Sequence, residues 1–226
     1  MKKTVFLDLD DTILDFQKAE HAALQKTLKY LGIEPLASTL TRYSVINKRQ
    51  WELLEEGKLT RQQVLHRRFE ILFSELGVNV DAKTAQKKYE SELSKGHYFV
   101  ENAEWLLKEL YPKHDLYLAS NGTAVVQEGR IKSAGIAPYF KEIFISQNTG
   151  YVKPQKEFFD YCFERIPNFK REEAIIIGDS LTSDIRGGNN AGIATCWFNP
   201  QGKERTEGIL VDYEVRSLKE IPALLL

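Results

Sequence analysis

The sequence predicts an α/β protein: a parallel sheet with helices on both faces, and an all-helical segment inserted after its first strand. Three observations carry that expectation. Short apolar runs at 4–8, 115–119, 142–145, 174–178 and 193–198 read as buried strands. From about residue 97 these runs alternate with helical stretches, the pattern of successive strand–helix–strand units. Residues 16–95 show helical spacing alone.

The elements follow in order. Thr4-Val5-Phe6-Leu7 runs straight into Asp8-Leu9-Asp10-Asp11-Thr12, so an apolar strand ends in a cluster of carboxylates. Ala19, Ala22, Ala23, Leu24, Leu28 and Leu31 then recur at helical spacing, and Gly32 supplies a stop. A second helix covers 37–56 and ends at Gly57. A third starts at Thr60, carries Val64, Leu65, Phe69, Leu72, Phe73 and Leu76, and stops at Gly77. Asp81 is placed to cap a fourth. Helix 101–111 leads to strand 115–119, helix 123–134 to strand 142–145, helix 155–166 to strand 174–178, and helix 184–191 to strand 193–198. The first strand joins the same sheet, so residues 1–15 and 97–226 are expected to form the core and 16–96 the insertion.

Composition bounds the function. The chain has 226 residues, of which 42% are hydrophobic, enough for one large domain or one domain with an insertion. Its 31 basic residues nearly balance 32 acidic ones, for a net charge of −1. That argues against a nucleic-acid polymer or an anionic membrane as partner. Residues 4–7 are too short for a signal-peptide core, and no run reaches the ~18 apolar residues of a membrane span. The expectation is a soluble, cytoplasmic monomer or homodimer acting on a small molecule. Cys162 and Cys196 sit in apolar surroundings without CxxC spacing, and read as buried small hydrophobes.

In open parallel sheets, ligands bind just beyond the carboxyl ends of the strands. Strand 4–8 ends in the Asp8, Asp10, Asp11, Thr12 cluster, and strand 115–119 in Ser120-Asn121-Gly122. The loop after strand 142–145 holds Lys153-Pro154. Strand 174–178 ends in Asp179, with Asp184 five residues on. Alone, each has an ordinary reading: a turn, a solvated lysine, a helix cap. A calcium loop beginning at Asp8 needs Gly at its sixth place and Glu at its twelfth, where the chain has Ile13 and Ala19. Together, one sheet edge collects carboxylates, a hydroxyl, an amide and a lysine. Oxygen-only carboxylate ligands suit Mg²⁺. A metal, a lysine and Ser/Asn donors describe a pocket for a phosphoryl dianion.

"DLDDT", "ASNG", "VKP" and "GDSLTSD", in that order and each at a strand end, resemble the four motifs of the haloacid-dehalogenase-like hydrolase superfamily. The resemblance spans essentially the whole chain. It implies a Rossmann-like core, a helical cap at the insertion, and Mg²⁺ as cofactor. It implies Asp8 as nucleophile and Asp10 as general acid, then base. Ser120 and the backbone around Asn121 are implied as donors to the phosphoryl group, with Thr12 orienting the Asp8 or Asp10 carboxylate and Lys153 balancing charge. Asp8, the Asp10 main-chain carbonyl and Asp179 are the implied Mg²⁺ ligands, with Asp184 supporting or water-mediated. Asp11 is off-pattern and suits a turn or cap.

Haloacid dehalogenases share the nucleophile but lack the second acid, because a halide leaves unprotonated. Asp10 therefore favours phosphoryl transfer. "WELLEEGKLTRQQVLHRRF", residues 51–69, resembles the cap of the bacterial pyrimidine 5′-nucleotidase branch through Trp51, Gly57, Thr60 and Arg68-Phe69. On that resemblance the expected activity is Mg²⁺-dependent hydrolysis of a small phosphomonoester, a pyrimidine nucleoside 5′-monophosphate first. A phosphatase or phosphomutase acting on a sugar phosphate is the alternative, and a non-catalytic binding protein a further one. Trp51, Tyr43 and Arg68 either meet a base or pack the cap. Hinges are expected near 13–16 and 96–100.

Overall fold

The computed structural model describes residues 2–225. Six parallel strands form one sheet: β1 (Thr4–Leu7), β2 (Asp115–Ser120), β3 (Glu142–Ile145), β4 (Ala174–Gly178), β5 (Ala194–Phe198) and β6 (Tyr213–Val215). Their spatial order is β3-β2-β1-β4-β5-β6. The chain runs outward from β1 to β3, then returns to place β4 on the other side of β1. The strand order therefore reverses beside β1, and a crevice opens at the carboxyl ends of β1 and β4.

The strands are near-continuous apolar runs because both faces are covered. Alternate residues serve the two faces. Val5, Leu7, Leu116, Leu118, Ile175 and Ile177 pack on α5 (Ala103–Leu110) and α6 (Ala124–Ala134), and on the C-terminal α10 (Ile221–Leu224). Phe6, Tyr117, Ala119, Phe144 and Ile176 face α8 (Lys156–Phe163) and α9 (Arg186–Ala191). A four-residue helix, α7 (Ser146–Thr149), follows β3. Both cysteines are free and buried, as expected.

Four further helices lie between β1 and α5: α1 (Phe16–Tyr30), α2 (Ala37–Glu55), α3 (Arg61–Leu76) and α4 (Ala82–Leu93). They share their own core, built on Leu24, Leu28, Tyr43, Phe69, Phe73 and Tyr89, which Val126 of α6 joins. Thr60 and Gln63 form a reciprocal capping box at the start of α3, and Asp81 accepts from the Lys83 and Thr84 amides at the start of α4. Gly77 ends α3 in the left-handed region (φ 66°), where a side chain is strained. The two segments joining this helical unit to the sheet pair with each other. Asp15 N donates to Tyr98 O (2.8 Å) and Val100 N to Ile13 O (3.0 Å).

The structure differs from the sequence expectation at the C-terminal side. Helix 184–191 begins earlier, in a π-helical turn at Leu181–Ile185 that continues into α9. β6 and α10 are additions. β6 is a three-residue edge strand with only Val215 buried, so it has no apolar run to announce it. Among the described residues, no helix is long and apolar enough to cross a membrane.

Candidate active site

β1 and β4 are hydrogen-bonded neighbours, so the residues after them emerge side by side. Asp8 N still donates to Ile177 O (3.0 Å), which fixes the first carboxylate at the sheet edge. Asp179 follows β4, and the π-helical turn brings Asp184 back beneath the strand end. Gly178 permits that return, because a side chain there would run into the Asp184 carboxylate. One carboxylate oxygen from each of Asp8, Asp179 and Asp184 lies within 4.8 Å of the others.

Lys153, buried to 1% exposure, is centred on this cluster. Its ammonium donates to Asp8 Oδ1 (2.7 Å), Asp184 Oδ1 (2.6 Å) and Ala119 O (2.6 Å). All three donors of the ammonium are used. Burial pushes the Asp8 carboxyl up to about 8, although Lys153 pulls it back; Asp184 and Asp10 add to the rise. Burial, then Asp8 and Asp184, hold Asp179 well above the usual carboxylate range. Burial works to lower Lys153, but Asp184 and Asp8 hold it above its ordinary value. One buried lysine facing three carboxylates leaves the cluster short of positive charge. The oxygen-only donor set fits a hard divalent cation such as Mg²⁺.

The other sequence-predicted residues assemble around this centre. Asn121 locks two loops together, with Lys153 N donating to its Oδ1 (2.9 Å) and its Nδ2 donating to Lys153 O (2.8 Å). Ser120 is the last residue of β2 and is buried. Gly122 N donates to Ser120 Oγ (3.2 Å). Thr12 differs from the expectation that it orients Asp8 or Asp10: its hydroxyl accepts from Asp179 N (3.1 Å), tying the first acidic loop to the last. Asp11 takes the capping role. It sits at φ 56° and accepts from Phe16 N (2.8 Å).

Four residues escaped the sequence reading. Gln127 Nε2 donates to both Asp10 Oδ2 (2.7 Å) and Ser120 Oγ (2.7 Å). Arg130, fully buried, pairs with Asp10 Oδ1. Their signal is present: both lie on the face of α6 that carries Val126 and Ile131, so two polar residues occupy core positions. Glu55, at the end of α2, accepts from Thr182 Oγ1 (3.0 Å) and faces the same space; burial pushes it up to about 7. Arg61 donates to Asn121 O (2.7 Å), Gly122 O (3.0 Å) and Ser146 Oγ (2.6 Å). Those two reach across from the helical unit, a tertiary relation that no local spacing encodes.

A cavity of about 190 Å³ lies over the carboxylates. Its floor is Asp8, Asp10, Lys153, Asp179 and Asp184; its far wall is Phe16, Trp51, Leu65, Arg68 and Leu93. Trp51 is half-buried and donates to Asn47 Oδ1 (3.1 Å). Arg68 gives NH1 to Asn47 Oδ1 (2.8 Å) and NH2 to Gln86 Oε1 (2.7 Å), with its guanidinium 4.9 Å from the Tyr89 ring centre. Tyr43 is fully buried between Phe69 and Tyr89, and does not line the cavity. Of the three aromatic and basic candidates for base contact, Tyr43 is therefore packing.

Residues 5–198 match the family model described as haloacid dehalogenase-like hydrolase. The chain belongs to that family. It is 43% identical over 219 residues to the HAD-hydrolase YfnB of Bacillus subtilis, covering 97% of this chain and 93% of that one. It is 37% identical over 220 residues to the pyrimidine 5′-nucleotidase PynA of Streptococcus pneumoniae, with the same coverage of 97% and 93%. The pyrimidine 5′-nucleotidase YjjG of Escherichia coli is 31% identical over 221 residues, covering 98% of this chain and 96% of that one. A crystal structure of YfnB bound to magnesium superposes with a TM-score of 0.95 at 42% identity, covering 99% and 98% of the two chains.

Proposed function

We propose that this protein is an Mg²⁺-dependent phosphatase that hydrolyses nucleoside 5′-monophosphates, pyrimidine ones first, through a phosphoryl group carried on Asp8. The observation that carries the reading is Asp8 itself: a buried carboxylate, ion-paired to Lys153, at the floor of a cavity whose far wall is apolar and aromatic. The similarity to PynA and YjjG supports the nucleotide as leaving group.

The reaction divides into two displacements. In the first, an Asp8 oxygen attacks phosphorus and the bond to the leaving oxygen breaks, with Asp10 giving that oxygen a proton. In the second, Asp10 takes a proton from water, the water oxygen attacks phosphorus, and the bond to Asp8 breaks to release phosphate. Lys153 holds Asp8 in place and offsets charge on the transferring group. The Ser120 hydroxyl and the amide of Asn121 supply donors to its oxygens. Asp8, the Asp10 main-chain carbonyl and Asp179, with Asp184 beside them, would hold Mg²⁺, which would supply positive charge to offset that of the phosphoryl group. The helical unit supplies the far wall of the cavity, and it acts as a cap that opens to admit substrate, swinging about 13–16 and 96–100.

A phosphate-release screen over nucleotides and sugar phosphates tests the reading. The expected result is turnover of pyrimidine nucleoside 5′-monophosphates above sugar phosphates. Trp51→Ala is expected to reorder the nucleotides while p-nitrophenyl phosphate stays within about three-fold. Trp51 is the cleaner probe than Arg68, whose guanidinium braces Asn47 and Gln86. Turnover of another phosphomonoester with no nucleotide hydrolysis removes the nucleotide and leaves the phosphatase. Release of little phosphate, with dependence on a bisphosphate primer, favours the mutase.

Metal dependence gives a second test. EDTA is expected to abolish phosphate release and Mg²⁺ to restore it. Stability carries the same signature. A carboxyl whose folded value is raised, as for Asp8, stabilises the fold fully below its unfolded value near 4 and loses that contribution as pH rises through about 8. The melting temperature of metal-free protein should fall across that window. Added Mg²⁺ should raise it, most at the upper end, where protons no longer compete. A melting temperature blind to Mg²⁺ at pH 8 counts against the site.

A further inference from the structure

Asp10 is the acid and base of the proposed reaction, yet nothing in its own loop fixes its side chain. Both carboxylate oxygens are held from α6, Oδ2 by Gln127 and Oδ1 by Arg130. Arg130 does more than pair with Asp10. Its Nε donates to Gly96 O (3.1 Å), in the segment that returns from the helical unit. Its guanidinium carbon lies 5.6 Å from the ring centre of Phe16, the first residue of the segment's outgoing counterpart to become helical. NH1 also reaches Gln127 Oε1 (3.2 Å). The remaining nitrogen, NH2, is buried with no hydrogen-bond partner.

A fully buried guanidinium with one nitrogen unsatisfied is less stable than a satisfied one. A pure packing role at this place is filled at lower cost by an apolar side chain. The arginine instead ties two parts of the core, the catalytic loop and α6, to the paired connecting segments about which a cap would swing. A side chain at Gly96 would press on Ala19, so the main chain that Arg130 holds runs close against α1.

The geometry points to Arg130 as the positioning residue for Asp10, coupling the place of that carboxylate to the geometry of the crossing at Phe16 and Gly96. This rests on the role proposed above for Asp10. With the crossing as observed, Arg130 and Gln127 hold both oxygens of the carboxylate at the cavity. A shift of Gly96 relative to α6 pulls on the same guanidinium and loosens that hold. Gln127 extends the linkage, because one amide bridges Asp10 to the Ser120 hydroxyl.

The test compares Arg130→Met and Arg130→Lys with wild type, each in the Asp10 and the Asp10→Asn backgrounds. Two esters are used: p-nitrophenyl phosphate, whose phenolate leaves without a proton, and the alkyl phosphate that wild type turns over best. Arg130→Met is expected to lower kcat/KM, which reports the first displacement alone, on the alkyl ester by roughly 10- to 100-fold, within the range of general acid–base catalysis, and on the aryl ester by about three-fold. Arg130→Lys, which keeps a buried cation, should recover part of the loss. In the Asp10→Asn background the arginine substitutions should add less than about two-fold, because the residue acts through Asp10. Equal losses on both esters by the lysine variant, or losses that multiply with Asp10→Asn, overturn the proposal while the phosphatase stands. A wild-type protein that releases phosphate from no ester overturns the phosphatase and this proposal together.

Discussion

Asp8→Asn is expected to leave a folded protein whose phosphate release has fallen by roughly four to six orders of magnitude. An amide matches the carboxylate in shape but neither attacks phosphorus nor holds a divalent cation well. The fold should survive, because Lys153 keeps Asp184 (2.6 Å) and Ala119 O (2.6 Å) when its bond to residue 8 weakens. It should even gain. Burial raises the Asp8 carboxyl, so a neutral side chain relieves a buried charge from a cluster already rich in them. Metal-free Asp8→Asn should therefore melt at or above wild type at pH 8. Phosphate release and thermal melting measured on one preparation check both halves. A variant that keeps a tenth of wild-type turnover removes Asp8 as nucleophile. One that is inactive but unfolded shows nothing about chemistry, which is why the melting curve belongs to the experiment.

The site was legible in the sequence where it sits at strand ends. Val5-Phe6-Leu7 and Ile175-Ile176-Ile177 mark two strands buried on both faces, and the residues after such strands have nowhere to emerge but the ligand edge. Asp8, Ser120, Asn121, Lys153, Asp179 and Asp184 were found that way, and the structure brings all six to one place. What escaped lies a step further from local pattern. Thr12 reads as a hydroxyl beside two carboxylates, but its neighbour in space is the Asp179 amide, set by the pairing of β1 with β4. Glu55 and Arg61 flank the turn between two helices, where charged residues are ordinary. Only the docking of the helical unit on the sheet turns them towards Thr182 and Asn121.

Arg68 shows the limit from the other side. Its pattern leaves open a contact to substrate or a place in the packing of the cap, and its guanidinium does border the cavity. It also supplies the buried link from Asn47 on α2 to Gln86 on α4, so packing and recognition share one side chain. β6 failed for a different reason. A three-residue edge strand buries one side chain, too little apolar pattern to separate it from a loop.

Lys153→Met separates the two sources of positive charge at the site. Methionine matches the length of the lysine stem, so packing is kept while the ammonium is lost. The variant leaves Asp8, Asp179 and Asp184 facing one another with no internal cation. Removing one partner of a buried ion pair costs about 3–5 kcal/mol, roughly 10 °C in melting temperature for a chain of this size. The loss should be smallest near pH 5, where the carboxyls can take up protons instead, and should grow as pH rises above about 8, where wild-type Asp8 has released a proton that the variant, lacking Lys153, still holds. Mg²⁺ offers the cluster another way to neutralise, so its stabilisation of the variant should exceed its stabilisation of wild type. Turnover should not return with it. A cation bound to the carboxylates replaces the missing charge, but it cannot donate to Asp8 Oδ1, Asp184 Oδ1 and Ala119 O together and so fix the nucleophile. A metal-free variant that melts with wild type at pH 8 removes Lys153 as the counter-charge of the cluster. Recovery of wild-type turnover in saturating Mg²⁺ shows instead that its charge, and not its three hydrogen bonds, is what the reaction uses.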